Sequence, residues 1–292
     1  MATILTVGIA ALDIINTVEH YPAEDDEVRA TGQRIARGGN AANTAEVLAR
    51  LGHTTRWAGT LGDDADSERI RASFRAAGVD FAGARTVPGG RVPTSYITAS
   101  RATGSRTIVH HRDLPELDAA HFAGLDLADL DWLHFEGRNV EELAAMVAHA
   151  RQQRPDLPLS IEAEKPRPGL EAVLERADVV FFSRPWAEAA GHTDPAAFLA
   201  ATLPHRARTV TWGAEGAHAA GPEEAPHHHP AAPPESVVDT IGAGDAFNAG
   251  ALHALAGGGD IHAAARSGNR IAGLKCGVEG FAFPRGSWNS LT

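Results

Sequence analysis

The sequence predicts an α/β fold, a doubly wound and mostly parallel sheet carrying a small antiparallel β lid. Two observations point there. Short runs rich in β-branched residues alternate with Ala-rich amphipathic stretches, the order produced when helices cover both faces of a parallel sheet. In two segments that alternation fails, and strand-like pieces follow one another with no helix between them.

In chain order, residues 4–9 read as the first strand, and residues 13–37 as one helix-free half of the lid. Residues 41–51 and 67–77 are amphipathic, each followed by a glycine, Gly52 and Gly78, where a helix C-cap belongs. Residues 55–58 lie between them as a strand. Residues 94–110 supply the other half of the lid, with Ala102-Thr103-Gly104-Ser105 as its hairpin turn. Strands follow at 132–135, 159–163, 179–182 and 209–211, separated by helices such as 140–153 and 194–203. The Pro- and His-rich segment 221–234 reads as a surface excursion. The whole of 1–292 is then one domain, with a lid from about 13–37 and 94–110.

Composition restricts the function. With 26 basic against 37 acidic residues the formal charge is -11, which argues against nucleic acid or an anionic membrane as partner, so any phosphate site must be local. A single cysteine, Cys276, cannot form an intrachain disulfide and suits a cytoplasmic setting. The N-terminus has no basic region, and Asp13 interrupts its apolar stretch, so neither a signal peptide nor a membrane span is expected. The chain contains no Walker A lysine motif and no His-Glu-x-x-His. His227-His228-His229, beside Pro226 and Pro230, reads as solvent-exposed rather than metal-binding, because consecutive side chains diverge. His110-His111 reads as the end of a lid strand.

The chemistry concentrates in two stretches. In Asp239-Thr240-Ile241-Gly242-Ala243-Gly244-Asp245, small residues sit where a helix begins, so backbone amides can close on an anion at the positive end of the helix dipole. An acid within an anion-binding turn would repel phosphate unless it faced the other reactant. Asp245 therefore reads as a base for a substrate hydroxyl, beside the plainer reading that it caps the helix. The second stretch is Arg37-Gly38-Gly39-Asn40-Ala41-Ala42-Asn43. Asn40 and Asn43 lie three apart at a helix start and could turn both amides to one polyhydroxylated ligand, with Asp13 supplying a carboxylate for two hydroxyls. Here too a simple N-cap at Asn40 is an alternative.

Together the two stretches resemble the signature regions of the ribokinase-like (PfkB-type) carbohydrate kinases, Asp239 to Asp245 matching Asp-Thr-x-Gly-Ala-Gly-Asp completely. The likeness runs over nearly the whole chain and is nearest the ketohexokinase branch. Supporting stretches include His134-Phe135-Glu136-Gly137-Arg138-Asn139, Glu162-Ala163-Glu164-Lys165-Pro166-Arg167 and Lys275-Cys276-Gly277-Val278-Glu279-Gly280-Phe281.

The resemblance implies transfer of the γ-phosphoryl of ATP, with Mg²⁺, to a sugar hydroxyl, in the ketohexokinase branch the C1 hydroxyl of fructose. It makes Asp245 the base, Gly242, Ala243 and Gly244 the anion hole, and Arg106 a cation near the transferring phosphate. Asp13, Gly39, Asn40 and Asn43 match sugar-binding positions. Gly213, Glu215 and Gly216 match a turn over the nucleotide phosphates, and Asn269, Gly273 and Cys276 the adenine pocket, although for Cys276 a small buried hydrophobe is the simpler role. Asp239 and the Ile241 carbonyl match a K⁺ position, with shaping of the turn as the equal alternative. Where many relatives carry Asn-x-x-Glu to organise magnesium, this chain has Ser183-Arg184-Pro185-Trp186. Glu162, Glu164 and Glu188 are then alternative acids for a hydrated ion, unless they pair with Lys165, Arg167 or Arg184. Finally, the branch implies a homodimer clasped through its lids in which Asp25 enters the neighbour's sugar site, against a reading of residues 24–27 as a solvated acidic turn. A ribokinase, another fructokinase, a sugar-acid or nucleoside kinase, or a non-catalytic binding regulator remain as alternatives.

Overall fold

A computed structural model describes residues 1–283 of the chain. The first half runs β1 (Thr3–Val7), β2 (Ala11–Val18), β3 (Gly32–Gly38), α1 (Asn40–Arg50), β4 (Thr54–Ala58), β5 (Thr60–Leu61), α2 (Ala65–Ala77), β6 (Arg85–Thr86), β7 (Thr94–Ser100) and β8 (Arg106–His111). There follow α3 (Ala119–Phe122), β9 (Trp132–Glu136), α4 (Val140–Gln153), β10 (Leu159–Ala163), α5 (Leu170–Leu174), β11 (Val179–Ser183), α6 (Arg184–Ala189) and α7 (Pro195–Ala201). The remainder is β12 (Ala207–Thr211), β13 (Ala217–Ala220), β14 (His227–His229), α8 (Ala243–Ala256) and α9 (Ile261–Cys276).

Eight strands form the main sheet in the order β14-β13-β12-β11-β10-β9-β1-β4, parallel from β12 to β4. Side chains alternate between its two faces with the period of two that a strand imposes. On β9, Leu133 and Phe135 enter the core under α4 with Phe122, Phe182 and Trp186, whereas Trp132 enters the opposite core with Leu48, Phe247 and Ile271 under α1, α8 and α9. Both faces are apolar because both are covered. Asp64, Asp194 and Asp260 cap α2, α7 and α9 through side-chain acceptors, and Gly52 and Gly78 both adopt the positive φ expected of a helix terminus. Among the described residues no helix is long and apolar enough to cross a membrane.

The lid is the sheet β3-β2-β7-β8. Its outer pairs are antiparallel, and β2 pairs with β7 in parallel because the chain returns to it through α1 and α2. Gly104, at φ 67°, turns the predicted hairpin between β7 and β8. The first strand ends at Val7, two residues short of the sequence reading, and the chain resumes as β2, so Asp13 belongs to the lid rather than to the end of the main sheet. Segment 221–234 is only partly an excursion: His227–His229 is the edge strand β14, antiparallel to β13. Alternation sends His229 inward, where its Nε2 meets His262 Nδ1 at 3.1 Å, so the expectation of exposure fails for this one histidine.

Candidate active site

The parallel strands end where the lid begins, and between them lies a cleft of ≈ 620 Å³ lined by both stretches singled out in the sequence. That is where an open α/β sheet places ligands. Gly242, the N-cap of α8 at φ 80°, opens the helix, and a Cβ there would come within 2.6 Å of the Phe281 ring. Gly244 lines the cleft, and beyond its chain neighbours and its own helix backbone nothing lies within 4 Å of where a side chain would stand. The Ala243 amide turns back to the Thr240 carbonyl at 3.2 Å, which leaves the amides of Gly242, Gly244 and Asp245 as the ones this turn can offer an anion, at the positive end of the helix.

Asp245 lies in that turn and is only 7% exposed. Its Oδ2 accepts a 2.7 Å hydrogen bond from Asn43 Nδ2, and Asn43 Oδ1 in turn accepts from Arg37 Nη1 at 2.9 Å. Arg37 is itself tied to Ser73 and Glu46. The asparagine is therefore held in one orientation and holds the carboxylate. Burial, reinforced by the carboxylates of Glu136 and Glu164 and opposed by Asn43 and Arg37, raises Asp245 to about 7. Glu162 is raised well above its ordinary range by burial and by Asp245 and Glu136, and Glu136 is raised by burial. The charge on Asp245 disfavours ionisation of Glu162. A base must be ionised to accept a proton, so kcat/KM should fall as pH drops through the region near 7, and Asn43→Ala should move that limb to higher pH by removing an interaction that favours the charged form. A profile flat from pH 5 to 8, on the scale of about one ordinary carboxylate titration, would contradict this assignment.

The acceptor side comes from the lid and α1. Gly39, at φ 99°, is the N-cap of α1, and a Cβ there would stand 2.3 Å from the Ile9 carbonyl, so only glycine lets α1 start this close to the β1–β2 junction. Asp13 on β2 is 9% exposed; burial raises it, while the Ser95 hydroxyl and the charges of Arg37 and Arg34 pull the other way. Asn40 turns its amide to Glu162 and Glu164 at 3.2 and 3.4 Å, and Asn43 to Asp245, so the two amides share the cleft but not one target. Arg106, at the start of β8, reaches across from the lid to Thr240 Oγ1 at 3.3 Å. Asp25, at φ 60°, is exposed in the loop between β2 and β3 and is not among the residues of this cleft.

At the far end, Gly213–Glu215 forms a 3₁₀ turn after β12, closed by Gly216. Asn269 donates to the carbonyls of His229 and Pro230 at 2.8 and 3.0 Å, Gly273 lies directly beneath Ala232, and the Cys276 carbonyl accepts from Val238 and Asp239. One face of α9 thereby anchors residues 229–239. Gly273, but neither Asn269 nor Cys276, lines the hollow of ≈ 470 Å³ between that segment and α9. Glu164 faces Lys165 at 3.7 Å, whereas Glu188 is paired with Arg184 at 2.6 Å and lies outside the cleft, which removes it from the candidate acids. Asp239 is bound by Arg34 and Lys275, each at 3.0 Å, and by the amides of Ile241 and Gly280. Sequence reasoning passed over Glu136, Arg37 and Lys275 as site residues. For Glu136 a signal existed, an acid at the carboxyl end of a buried parallel strand.

The sequence model of the "pfkB family carbohydrate kinase" group matches residues 1–286. The chain belongs to that family. It is 38% identical over 290 residues to mouse ketohexokinase, covering 95% of this chain and 97% of that one. Its fold matches ribokinase from Giardia lamblia with a TM-score of 0.80 at 17% identity, covering 97% and 96% of the two chains. It also matches Arabidopsis thaliana ribokinase, solved with ribose and ATP, with a TM-score of 0.77 at 20% identity, covering 99% and 98%. The pfkB chain described here is accordingly a sugar kinase with the ribokinase-like fold.

Proposed function

We propose that this kinase transfers the γ-phosphoryl group of ATP to the C1 hydroxyl of fructose or a related ketose. The observation that carries the reading is Asp245, a buried carboxylate fixed by Asn43 in the first turn of α8, beside the open space at Gly244. The extended likeness to a ketohexokinase favours the ketose. Asp245 takes the hydroxyl proton as that oxygen attacks phosphorus and the bond to ADP breaks; the amides of Gly242, Gly244 and Asp245 and the Arg106 guanidinium face the charge on the equatorial oxygens. Asp13 and Asn40 bind and orient the sugar, and Gly213, Glu215, Gly216 and the α9 face meet the nucleotide. Mg²⁺ suits the oxygen-only donors Glu162 and Glu164, neighbouring acids at the cleft whose repulsion Asn40 only partly relieves, and it supplies charge neutralisation at the nucleotide oxygens.

Coupled ADP release over fructose, tagatose, psicose, ribose, gluconate derivatives and adenosine tests the reading, fructose or another ketose being the expected best acceptor. Preference for ribose or adenosine would move the chain to another branch, and binding without turnover would make it a regulator.

The lid supports a dimer. One rung across its four strands is Ile35, Ile14, Tyr96 and Val109, and Ile35, Tyr96 and Val109 are 47%, 51% and 66% exposed. A second lid would cover this stripe and both strand edges. Ile97, next to Tyr96 on β7, faces inward at 2% exposure, because adjacent strand residues alternate. In the dimer Asp25 completes the neighbouring sugar site. Mixing inactive Asp25→Ala and Asp245→Asn proteins should restore activity after subunit exchange, since some dimers then hold one intact site. Unchanged sugar kinetics in Asp25→Ala, or a monomer by light scattering, would refute the shared site and leave the kinase reading standing.

A further inference from the structure

Lys275 stands in the last turn of α9 with its side chain fully buried. Nζ donates to the Asp239 carbonyl at 2.7 Å and contacts the Asp239 carboxylate at 3.0 Å, distances of charge-assisted hydrogen bonds. It also lies 5.8 Å from the centre of the Phe281 ring, the ring that backs Gly242. Asp239 in turn accepts from the Ile241 amide at 2.9 Å, inside the anion turn. A continuous path therefore runs from the ammonium through Asp239 and Phe281 to the residues that open α8. The oxygens of Asp239 that would coordinate a monovalent ion are already facing a cation of this chain, and Arg34 shares the carboxylate from the lid side. K⁺ and this arrangement do not fit together at Asp239.

We propose that Lys275 is a tethered internal cation, a positioning residue that holds the anion turn and offsets the Asp239 charge behind the phosphate, so that the kinase works without a monovalent metal ion. An ammonium group is close to K⁺ in size and prefers the same oxygen partners. Placed on the end of a helix it is permanently at its site, whereas a dissolved ion must bind there from solution. Without it the Asp239 carboxylate behind the turn would be offset by Arg34 alone, and its carbonyl would lose its cation.

The inference rests on the kinase reading, and the experiment separates the two. Wild-type turnover, measured in tetramethylammonium buffer and again with added K⁺, should be the same. Lys275→Met, which keeps the length without the charge, should lose roughly tenfold or more in kcat, the scale of disturbing one preorganised electrostatic contact. Lys275→Ala should regain part of its rate with K⁺, ammonium or methylammonium, a rescue that lost packing alone would not show. A wild type that needs K⁺, or a Lys275→Met enzyme with full rate in tetramethylammonium, overturns the proposal. Should the variants not fold, thermal unfolding of the wild type decides: stabilisation by K⁺ but not tetramethylammonium overturns it, and equal curves support it. Absence of turnover with every acceptor would sink the kinase reading alone, and the unfolding comparison still decides the cation.

Discussion

Asp245→Asn is expected to fold and to bind nucleotide, yet to turn over ~10²-fold or more slowly than wild type, the scale of removing a positioned base. The amide can still accept the hydrogen bond from Asn43, so the turn and the Asn43–Arg37 support stay in place. What disappears is the capacity to take a proton. A loss in kcat with nucleotide affinity retained is the signature sought by steady-state kinetics and nucleotide titration. Wild-type-like kcat would return Asp245 to the role of an ordinary first-turn acid.

Asp13→Ala should produce the second large effect, on the other substrate. Removing a charged partner from a buried polar site costs about 1.5–3 kcal/mol, roughly a 10- to 100-fold rise in the KM for sugar, with the KM for ATP nearly unchanged. The contrast with Asn43→Ala is informative. Because Asn43 touches Asp245 directly, its loss should depress kcat as well as weaken sugar saturation. Equal effects of Asp13→Ala on both substrates would show that Asp13 shapes the lid rather than meeting the acceptor, and a parallel unfolding measurement identifies simple destabilisation.

The main sheet and the α8 turn were legible in the sequence because each depends on a local pattern: period-two apolar strands such as 159–163, and small residues before Asp245. Less legible were features set by distant partners. His229 is buried by its neighbour strand and by His262 from α9, which no local pattern announces. Asn40 and Asn43 were placed together correctly by helical spacing, but their separate targets depend on where β10 and α8 end. Lys275 was unreadable for a similar reason, since a lysine in a last helical turn usually reaches solvent and here is enclosed by Asp239 and Phe281.

The buried acids have a thermodynamic consequence. Glu136, Glu162 and Asp245 all bind protons more tightly in the folded chain than in an unfolded one. Between the unfolded values and the raised folded ones the native state carries the extra protons, so fold stability declines as pH rises through that window, for Asp245 from its ordinary 3.8 up to about 7. The ionised form that is ready for catalysis is thus the more fragile form. Asp245→Asn should melt higher than wild type at pH 8, and the gap should narrow at acid pH; a gap independent of pH would dissociate reactivity from fragility in this molecule.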